Sequence, residues 1–304
     1  MSTIQTQIVT VFGATGLQGG SVTQSLLNNP KYKVRAITRN PESDASLTLQ
    51  KKGVELVKLD QTTATVEELA KALQGSQSVF LVTAAQSYGE AEGQVGKKIV
   101  DAVVLAKVEH FIFSSLVNCE KISNGTLPVT HFDQKDEIKV YAEFQASKNP
   151  TSLTVSFVYI PFYYQNFETF FAPKKSEDGQ SYSITIPFNP KIPIAMADVT
   201  DVGAIVSAIL ENKTKYANAS IPFCHTVSMN DIIQSLSKFY GFDIQYNYIP
   251  PQVFGTFPFP NAKEMGNMFQ FYEEFGTFPG LDLSIAPNLT HITTFDEYLS
   301  KKKQ

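Results

Sequence analysis

The chain has 304 residues, 43% hydrophobic and 18% charged, with a net charge of −4. This length can bury one large core carrying a smaller lobe, or two interleaved domains, and the composition excludes a disordered, collagenous or low-complexity chain. Cys119 and Cys224 stand far apart and outside any CxxC spacing, so both are expected as packing residues rather than as a disulfide or a thiolate metal site.

The opening "MSTIQTQ" has neither a basic start nor an apolar stretch, and no run of about 18 apolar residues follows, so neither export nor a membrane span is expected and the cytoplasm is the default. Direct binding to nucleic acid needs clustered cations against the phosphates. The one basic run is Lys301, Lys302 and Lys303, which reads as a solvated C-terminal turn.

The first expected strand is "IVTVF" (8–12). It runs into Gly13, Ala14, Thr15, Gly16, Leu17, Gln18 and Gly19 and then into a helix. Glycines spaced in this way at a first strand-to-helix junction allow a tight turn, let the backbone approach a pyrophosphate and let the helix pack on the strand, so a dinucleotide site is expected. The second strand, "KVRAIT" (33–38), ends in Thr38, Arg39 and Asn40, where NAD-binding chains carry an acid for the ribose 2′-hydroxyl. A guanidinium there suits a 2′-phosphate, which favours NADP(H) over NAD(H). The alternative is a surface arginine paired with Glu42 or Asp44.

Further strands are expected at "VELVK" (54–58), "SVFLV" (78–82), "HFIFSS" (110–115) and "LTVSFVYI" (153–160). From Gln94 to Lys107, Val95, Ile99, Ala102, Val103 and Ala106 recur at helical spacing and predict a helix laid on the sheet. Such alternation implies right-handed crossovers and a parallel sheet covered on both faces, the α/β class. Ser114 and Ser115, closing the fifth strand, read mainly as cap or turn groups. The stretch "VTHFDQKDEIKVY" opens a helix that places His131 and Lys135 four apart on one face.

After Ile160 the rhythm breaks. Tyr163, Tyr164, Phe167, Phe170 and Phe171 are followed by a polar turn, "KKSEDGQS", and a strand, "YSITI". "DVTDVGAIVSAILEN" predicts a helix entered through Asp198 to Asp201, with Asp201 read as its N-cap in preference to a ligand holder, and "SIPFCHT" one more strand; both are assigned back to the large domain. Helices are expected at "SMNDIIQSLSKFYG", at "NAKEMGNMFQFYEEFG" and from Thr294. The expected division is residues 1–160 plus about 195–226 in one domain, and about 161–194 plus 227–304 in a smaller lobe. His110, His225 and His291 lack partners at metal-ligand spacing, so no metal is expected.

Taken in order, "GATGLQGGSV", "VRAITRNP", "LDQ", "THFDQKDEIKVY", "IPFYYQNF", "DVTDVG" and "NMFQFY" resemble the NmrA-like family of atypical short-chain dehydrogenases/reductases. The resemblance implies a Rossmann-type doubly wound parallel sheet with a smaller C-terminal α+β lobe. It also implies sensing of NADP(H) or NAD(H) through protein partners. Fungal members include nitrogen-metabolite regulators that bind a transcription factor, so a nuclear location joins the cytoplasmic one, with a monomer or homodimer as the assembly. Carried over by motif, Gly13 to Gln18, with Gly19, would lie under the pyrophosphate, and Arg39 at the 2′ position. Asp60 and Gln61 would lie near adenine, Thr83 by the fourth strand and Lys135 at the nicotinamide ribose. Tyr163, Tyr164, Gln165 and Asn166 would line the nicotinamide side. The chain departs from relatives in "PESDAS" after the arginine and in the small residues of "VTAAQSYGE".

Catalytic members of the wider superfamily resemble each other in a YxxxK pair, and this chain has HxxxK. An ammonium beside His131 would disfavour protonation of the imidazole, so ordinary carbonyl reduction is disfavoured while a cofactor clamp by Lys135 survives. Two functions follow. The first is an NADP(H)-binding regulator or redox sensor; the second is an NADPH-dependent reductase of quinones or other small apolar carbonyl or enone substrates, with Lys135 and His131 as the candidate catalytic groups.

Overall fold

Short runs rich in Val, Ile and Phe alternate with amphipathic stretches, and in the computed structural model, which describes residues 6–176, 179 and 181–303, they become strands and helices in turn. The strands are β1 (Gln7–Phe12), β2 (Tyr32–Thr38), β3 (Glu55–Lys58), β4 (Ser78–Leu81), β5 (His110–Ser115), β6 (Thr154–Tyr159), β7 (Phe162–Tyr163), β8 (Lys174–Lys175), β9 (Tyr182–Ile186), β10 (Ile194–Ala197), β11 (Ser220–Pro222), β12 (His225–Val227) and β13 (Ile244–Tyr248). The helices are α1 (Leu17–Leu27), α2 (Asp44–Lys51), α3 (Val66–Leu73), α4 (Ala85–Tyr88), α5 (Glu92–Leu105), α6 (Cys119–Ile122), α7 (Thr130–Lys148), α8 (Asp201–Glu211), α9 (Met229–Tyr240), α10 (Pro251–Phe254), α11 (Ala262–Phe275) and α12 (Phe295–Lys302). The chain divides into two units: residues 1–116, 134–159 and 200–221, and residues 117–133, 160–199 and 222–304.

The first unit holds a seven-stranded sheet in the order β11-β6-β5-β4-β1-β2-β3, with β1 to β6 paired in parallel. Every residue of β4 and β5 is buried, as expected of central strands covered on both faces. The helices come very close to their neighbours. A Cβ on Gly203 would lie 2.3 Å from the Ser21 carbonyl oxygen, and one on Gly96 would lie 2.2 Å from Ile138 Cδ1. Ser21 fastens α1 to α8, its hydroxyl donating to the Thr200 carbonyl at 2.6 Å and accepting the Gly203 N–H at 2.8 Å. Strand order reverses between β1 and β4, which opens a crevice at their carboxyl ends, the usual ligand position in an open α/β sheet.

The second unit carries two three-stranded sheets, β12-β10-β7 and β13-β9-β8. Aromatic packing supplies its core, with Tyr164 against Phe295 and Tyr298, and Phe162 against Phe167, Phe171 and Phe269. Ser228 caps α9, and Gly241 ends it in a left-handed conformation that a side chain would strain. Thr294 and Glu297 form a capping box at the start of α12.

Several expectations are corrected. Residues 117–133, expected in the first domain, group with the second unit because their bonds run to that unit: Asn267 donates to the Pro128 carbonyl at 2.9 Å, and the Glu264 carboxylate takes the His131 N–H at 3.0 Å. "SIPFCHT" is two strands, β11 at the edge of the large sheet and β12 paired antiparallel with β10. Asp201 is the first residue of α8 rather than its N-cap, which is Thr200, so the acid meets the positive end of the helix from within the first turn. In the expected polar turn, Glu177, Asp178 and Gln180 lie outside the described residues.

Candidate functional site

At the end of β1 the chain turns through Gly13, whose φ of 72° favours glycine. The Gly16 N–H donates back to the Gly13 carbonyl at 2.9 Å. Helix α1 then starts with Gly16 as N-cap, with no side-chain cap and no acid in its first turn. The N–H groups of Leu17, Gln18 and Gly19 precede the first intrahelical bond, from the Gly20 N–H to the Gly16 carbonyl, and so lack helical acceptors. Gly13, Thr15, Gly16 and Leu17 are exposed while Ala14 is buried beneath them. A Cβ on Gly19 would lie 2.2 Å from the Gly13 carbonyl oxygen and 2.9 Å from the Ala14 nitrogen, so only glycine lets the helix sit this close. Amides and the positive helix end together make an anion cradle whose chemistry fits a diphosphate.

Further expected side chains belong to the same unit, Arg39, Asp60 and Gln61 among them. Arg39 is exposed after β2 and forms no ion pair with Glu42 or Asp44 among the described residues. Asp60 accepts the Thr62 hydroxyl at 2.6 Å and the Thr62 N–H at 2.9 Å; these bonds, with Arg39 contributing attraction, hold its carboxyl below the usual carboxylate range. Gln61 donates to the Tyr88 hydroxyl. Burial raises the Tyr88 phenol, and Arg39 opposes that rise. Gln18 reaches from the loop to β5, where its side-chain oxygen accepts the Ser114 hydroxyl at 2.6 Å. Ser114 is thus more than a strand-end turn group. The Ser115 hydroxyl makes a long 3.4 Å contact to the Leu116 carbonyl.

Lys135, one turn into α7, is buried at the end of β4. Its Nζ donates to the Thr83 carbonyl at 2.8 Å, the Thr83 hydroxyl at 2.6 Å and Glu92 Oε1 at 2.6 Å. Burial pushes its pKa down, and the adjacent Glu92 charge works the other way.

Within the second unit, His131 Nδ1 lies 2.7 Å from Glu264 Oε1. This partner, a carboxylate brought up by α11, is one that the HxxxK spacing does not show, and the contact lowers the Glu264 pKa. The Tyr163 hydroxyl is buried without a hydrogen-bond partner among the described residues, and burial raises its pKa well above 10.0. Tyr164 is a core residue, fully buried against Phe295 and Tyr298. Gln165 uses both ends of its carboxamide internally, donating to Asp198 at 2.7 Å and accepting the Val199 N–H at 3.2 Å. Asn166 is half-buried in a 3-10 turn.

Sequence reasoning missed Glu92, Tyr88 and Glu264. The signal for Glu92 was available in principle, since a buried lysine demands a counter-charge, but its place in the chain gives no hint of the pairing. A cleft of about 960 Å³, with Asp60 in its lining, runs along the open edge of β3. There Arg35, Lys58 and Lys71 are balanced by Glu55, Asp60 and Glu68, and Arg35 is itself tied to Glu55 at 2.9 Å, so the cleft offers a phosphate no concentrated field. Among the described residues no group of three His, Cys, Asp or Glu side chains could hold a metal, and no helix is long and apolar enough to cross a membrane.

The family model described as the NmrA-like family matches residues 5–299. An NmrA-like family domain-containing protein of Dictyostelium discoideum is 35% identical over 297 residues, covering 96% of this chain and 97% of its own. The NmrA-like family domain-containing oxidoreductase FrzB of Cladobotryum sp. is 30% identical over 300 residues, covering 89% and 85%. Among solved structures, NmrA, a negative transcriptional regulator in complex with NADP, superposes with a TM-score of 0.75 at 22% identity, covering 98% and 91%. The NADPH-dependent quinone oxidoreductase QOR2 of Escherichia coli, complexed with NADPH, superposes with a TM-score of 0.76 at 19% identity, covering 97% and 100%. The chain belongs to the NmrA-like family.

Proposed function

We propose that this chain binds NADP(H) over the Gly13 to Gly19 loop and works as a cofactor-occupancy or redox sensor through a protein partner, a transcription factor being the partner type the family suggests. Its place of action is then the cytoplasm or the nucleus. In this reading the loop amides hold the pyrophosphate and Arg39 meets the 2′-phosphate. Asp60 and Gln61, with Tyr88, lie at the adenine end, and Thr83 and Lys135 lie toward the nicotinamide ribose. Tyr163 and Asn166 remain the second unit's candidates for the nicotinamide, since Tyr164 and Gln165 are spent on packing and internal bonds.

The observation that carries the sensor reading is the commitment of the HxxxK lysine. All three Lys135 donors are taken by Thr83 and Glu92. The lysine is not set to hand a proton to a carbonyl, and His131, held at Nδ1 by Glu264, stands where the usual tyrosine would. A sensor needs no such group; a difference of about 1–3 kcal/mol in cofactor affinity between two conformations suffices.

A second reading is favoured by the oxidoreductase FrzB, similar over most of both chains. A bound nicotinamide would supply hydride, and a quinone accepts hydride with little acid assistance, so a reductase could work without the missing tyrosine. Calorimetric titration with NADP⁺, NADPH, NAD⁺ and NADH, alongside NADPH consumption with quinones, aldehydes and enones, separates the two. Tight NADP(H) binding without turnover is the expected result. Enzyme-like turnover abolished by Lys135→Ala would replace the sensor by the reductase, and no affinity for any of the four nucleotides would remove both.

A further inference from the structure

An ammonium has three N–H donors and no acceptor, so the bonds of Lys135 to the Thr83 carbonyl, the Thr83 hydroxyl and Glu92 Oε1 use its whole capacity. The Phe113 ring lies beside it, with its centroid 5.9 Å from Nζ. Glu92 is itself wholly buried, and its second oxygen, Oε2, has no hydrogen-bond partner among the described residues. Burying a carboxylate with one oxygen idle is costly, and an amide or an apolar pair would fill the same space at less cost. The first turn of α5 thus retains a charge that local packing does not ask for. What it touches is the lysine.

We propose that Glu92 is a positioning residue, which keeps Lys135 charged and fixed at the carboxyl end of β4 and thereby sets the lysine's contribution to the dinucleotide site. Glu92, on α5, is the charged group whose influence on Lys135 is resolved. From the end of β4 Thr83 adds neutral donors and acceptors, and from β5 Phe113 adds an aromatic face. On α7 itself Asp136 and Lys139 follow in the next turn, and Lys139 is paired with Glu143 at 2.7 Å. With Glu92 neutral, burial acts on Lys135 unopposed and the amine loses its proton at lower pH. Loss of the proton removes the charge that Lys135 would present to the dinucleotide and one of the three donors by which the lysine is held in place.

The link to the dinucleotide rests on the function proposed above; the effect on the lysine does not. The test is a lysine side-chain ¹⁵N NMR titration of the full chain, with Lys135→Arg to assign the signal, in wild type, Glu92→Gln and Glu92→Asp. The titration midpoint of Lys135 is expected to fall by about one pH unit or more in Glu92→Gln and to return toward wild type in Glu92→Asp. NADPH affinity, flat for wild type between about pH 7 and 9, is expected to fall up to about tenfold per pH unit above the midpoint in Glu92→Gln. A wild-type midpoint in Glu92→Gln would overturn the proposal, as would a lowered midpoint with unchanged, pH-independent affinity.

Should Glu92→Gln fail to fold, Glu92→Gln combined with Lys135→Met decides. Recovery of folding supports the pairing role, and continued failure shows that Glu92 serves the architecture on its own account and overturns the proposal. Absence of any nucleotide affinity in wild type would remove the proposed function while the lysine titration still reads Glu92.

Discussion

The Ser114 hydroxyl donates to the Gln18 side-chain oxygen across 2.6 Å and so ties the end of β5 to the first turn of α1. Ser114 is almost fully buried, so its removal leaves an acceptor facing a space that water reaches poorly. Ser114→Ala is expected to cost about 0.5–1.5 kcal/mol in urea unfolding and to weaken nucleotide binding by loosening the loop. Unchanged stability together with unchanged affinity would show that Gln18 does not depend on this bond.

Gly19→Ala tests the cradle directly. The added methyl would stand 2.2 Å from the Gly13 carbonyl oxygen, a backbone atom that cannot rotate aside. Overpacking of this kind costs about 1–3 kcal/mol, and relief requires the loop to open away from α1. Loss of measurable NADPH affinity, with a folded circular dichroism spectrum retained, is the expected outcome; wild-type affinity would show that the amides of this turn do not grip the diphosphate.

How much of this was legible in the chain follows from how local each feature is. The glycine turn, β5 at 110–115, β9 at 182–186 and the capped α9 and α12 announce themselves within a few neighbouring residues, and they lie where periodicity and capping put them. Strands β7 and β8 are two residues each and exist through pairing rather than propensity. The same holds for β13, which pairs in parallel with β9 although α8, α9 and three strands lie between them in the chain. The side-chain partners were hidden for the same reason: Glu92 stands 43 residues from Lys135, and Glu264 stands 133 residues from His131. HxxxK could be read, but not the carboxylates that occupy it.

Arg39→Asp probes the choice of cofactor. Arg39 is exposed after β2 and, among the described residues, forms no ion pair with the acids of "PESDAS", so its guanidinium can turn to a 2′-phosphate. An aspartate would repel that phosphate and accept a bond from a free 2′-hydroxyl instead. The ratio of NADP⁺ to NAD⁺ affinity is expected to drop by about tenfold or more, which corresponds to one charge-assisted hydrogen bond. Equal ratios in the two proteins by calorimetry would end the argument for a 2′-phosphate site at Arg39.

His110, at the start of β5, gives the fold an acid limit. Its Nε2 lies 2.8 Å from the Ser156 hydroxyl, and that hydroxyl donates to the Tyr216 carbonyl at 2.8 Å, so Nε2 must be the donor and carry the proton of a neutral ring. Nδ1 is buried without a hydrogen-bond partner among the described residues. Burial, with repulsion from Lys213, depresses the pKa to about 3. An unfolded histidine takes up its proton near 6.5, so between these values the unfolded chain binds more protons than the folded one, and stability falls as pH falls. The contribution is fully present above about pH 6.5 and declines by up to about 1.4 kcal/mol per pH unit below it. In His110→Gln the amide can still donate to Ser156 but cannot titrate. Between pH 7 and 5 wild type is expected to lose about 1–2 kcal/mol more than this variant in urea unfolding. Parallel curves would mean that His110 accepts its proton in the folded state.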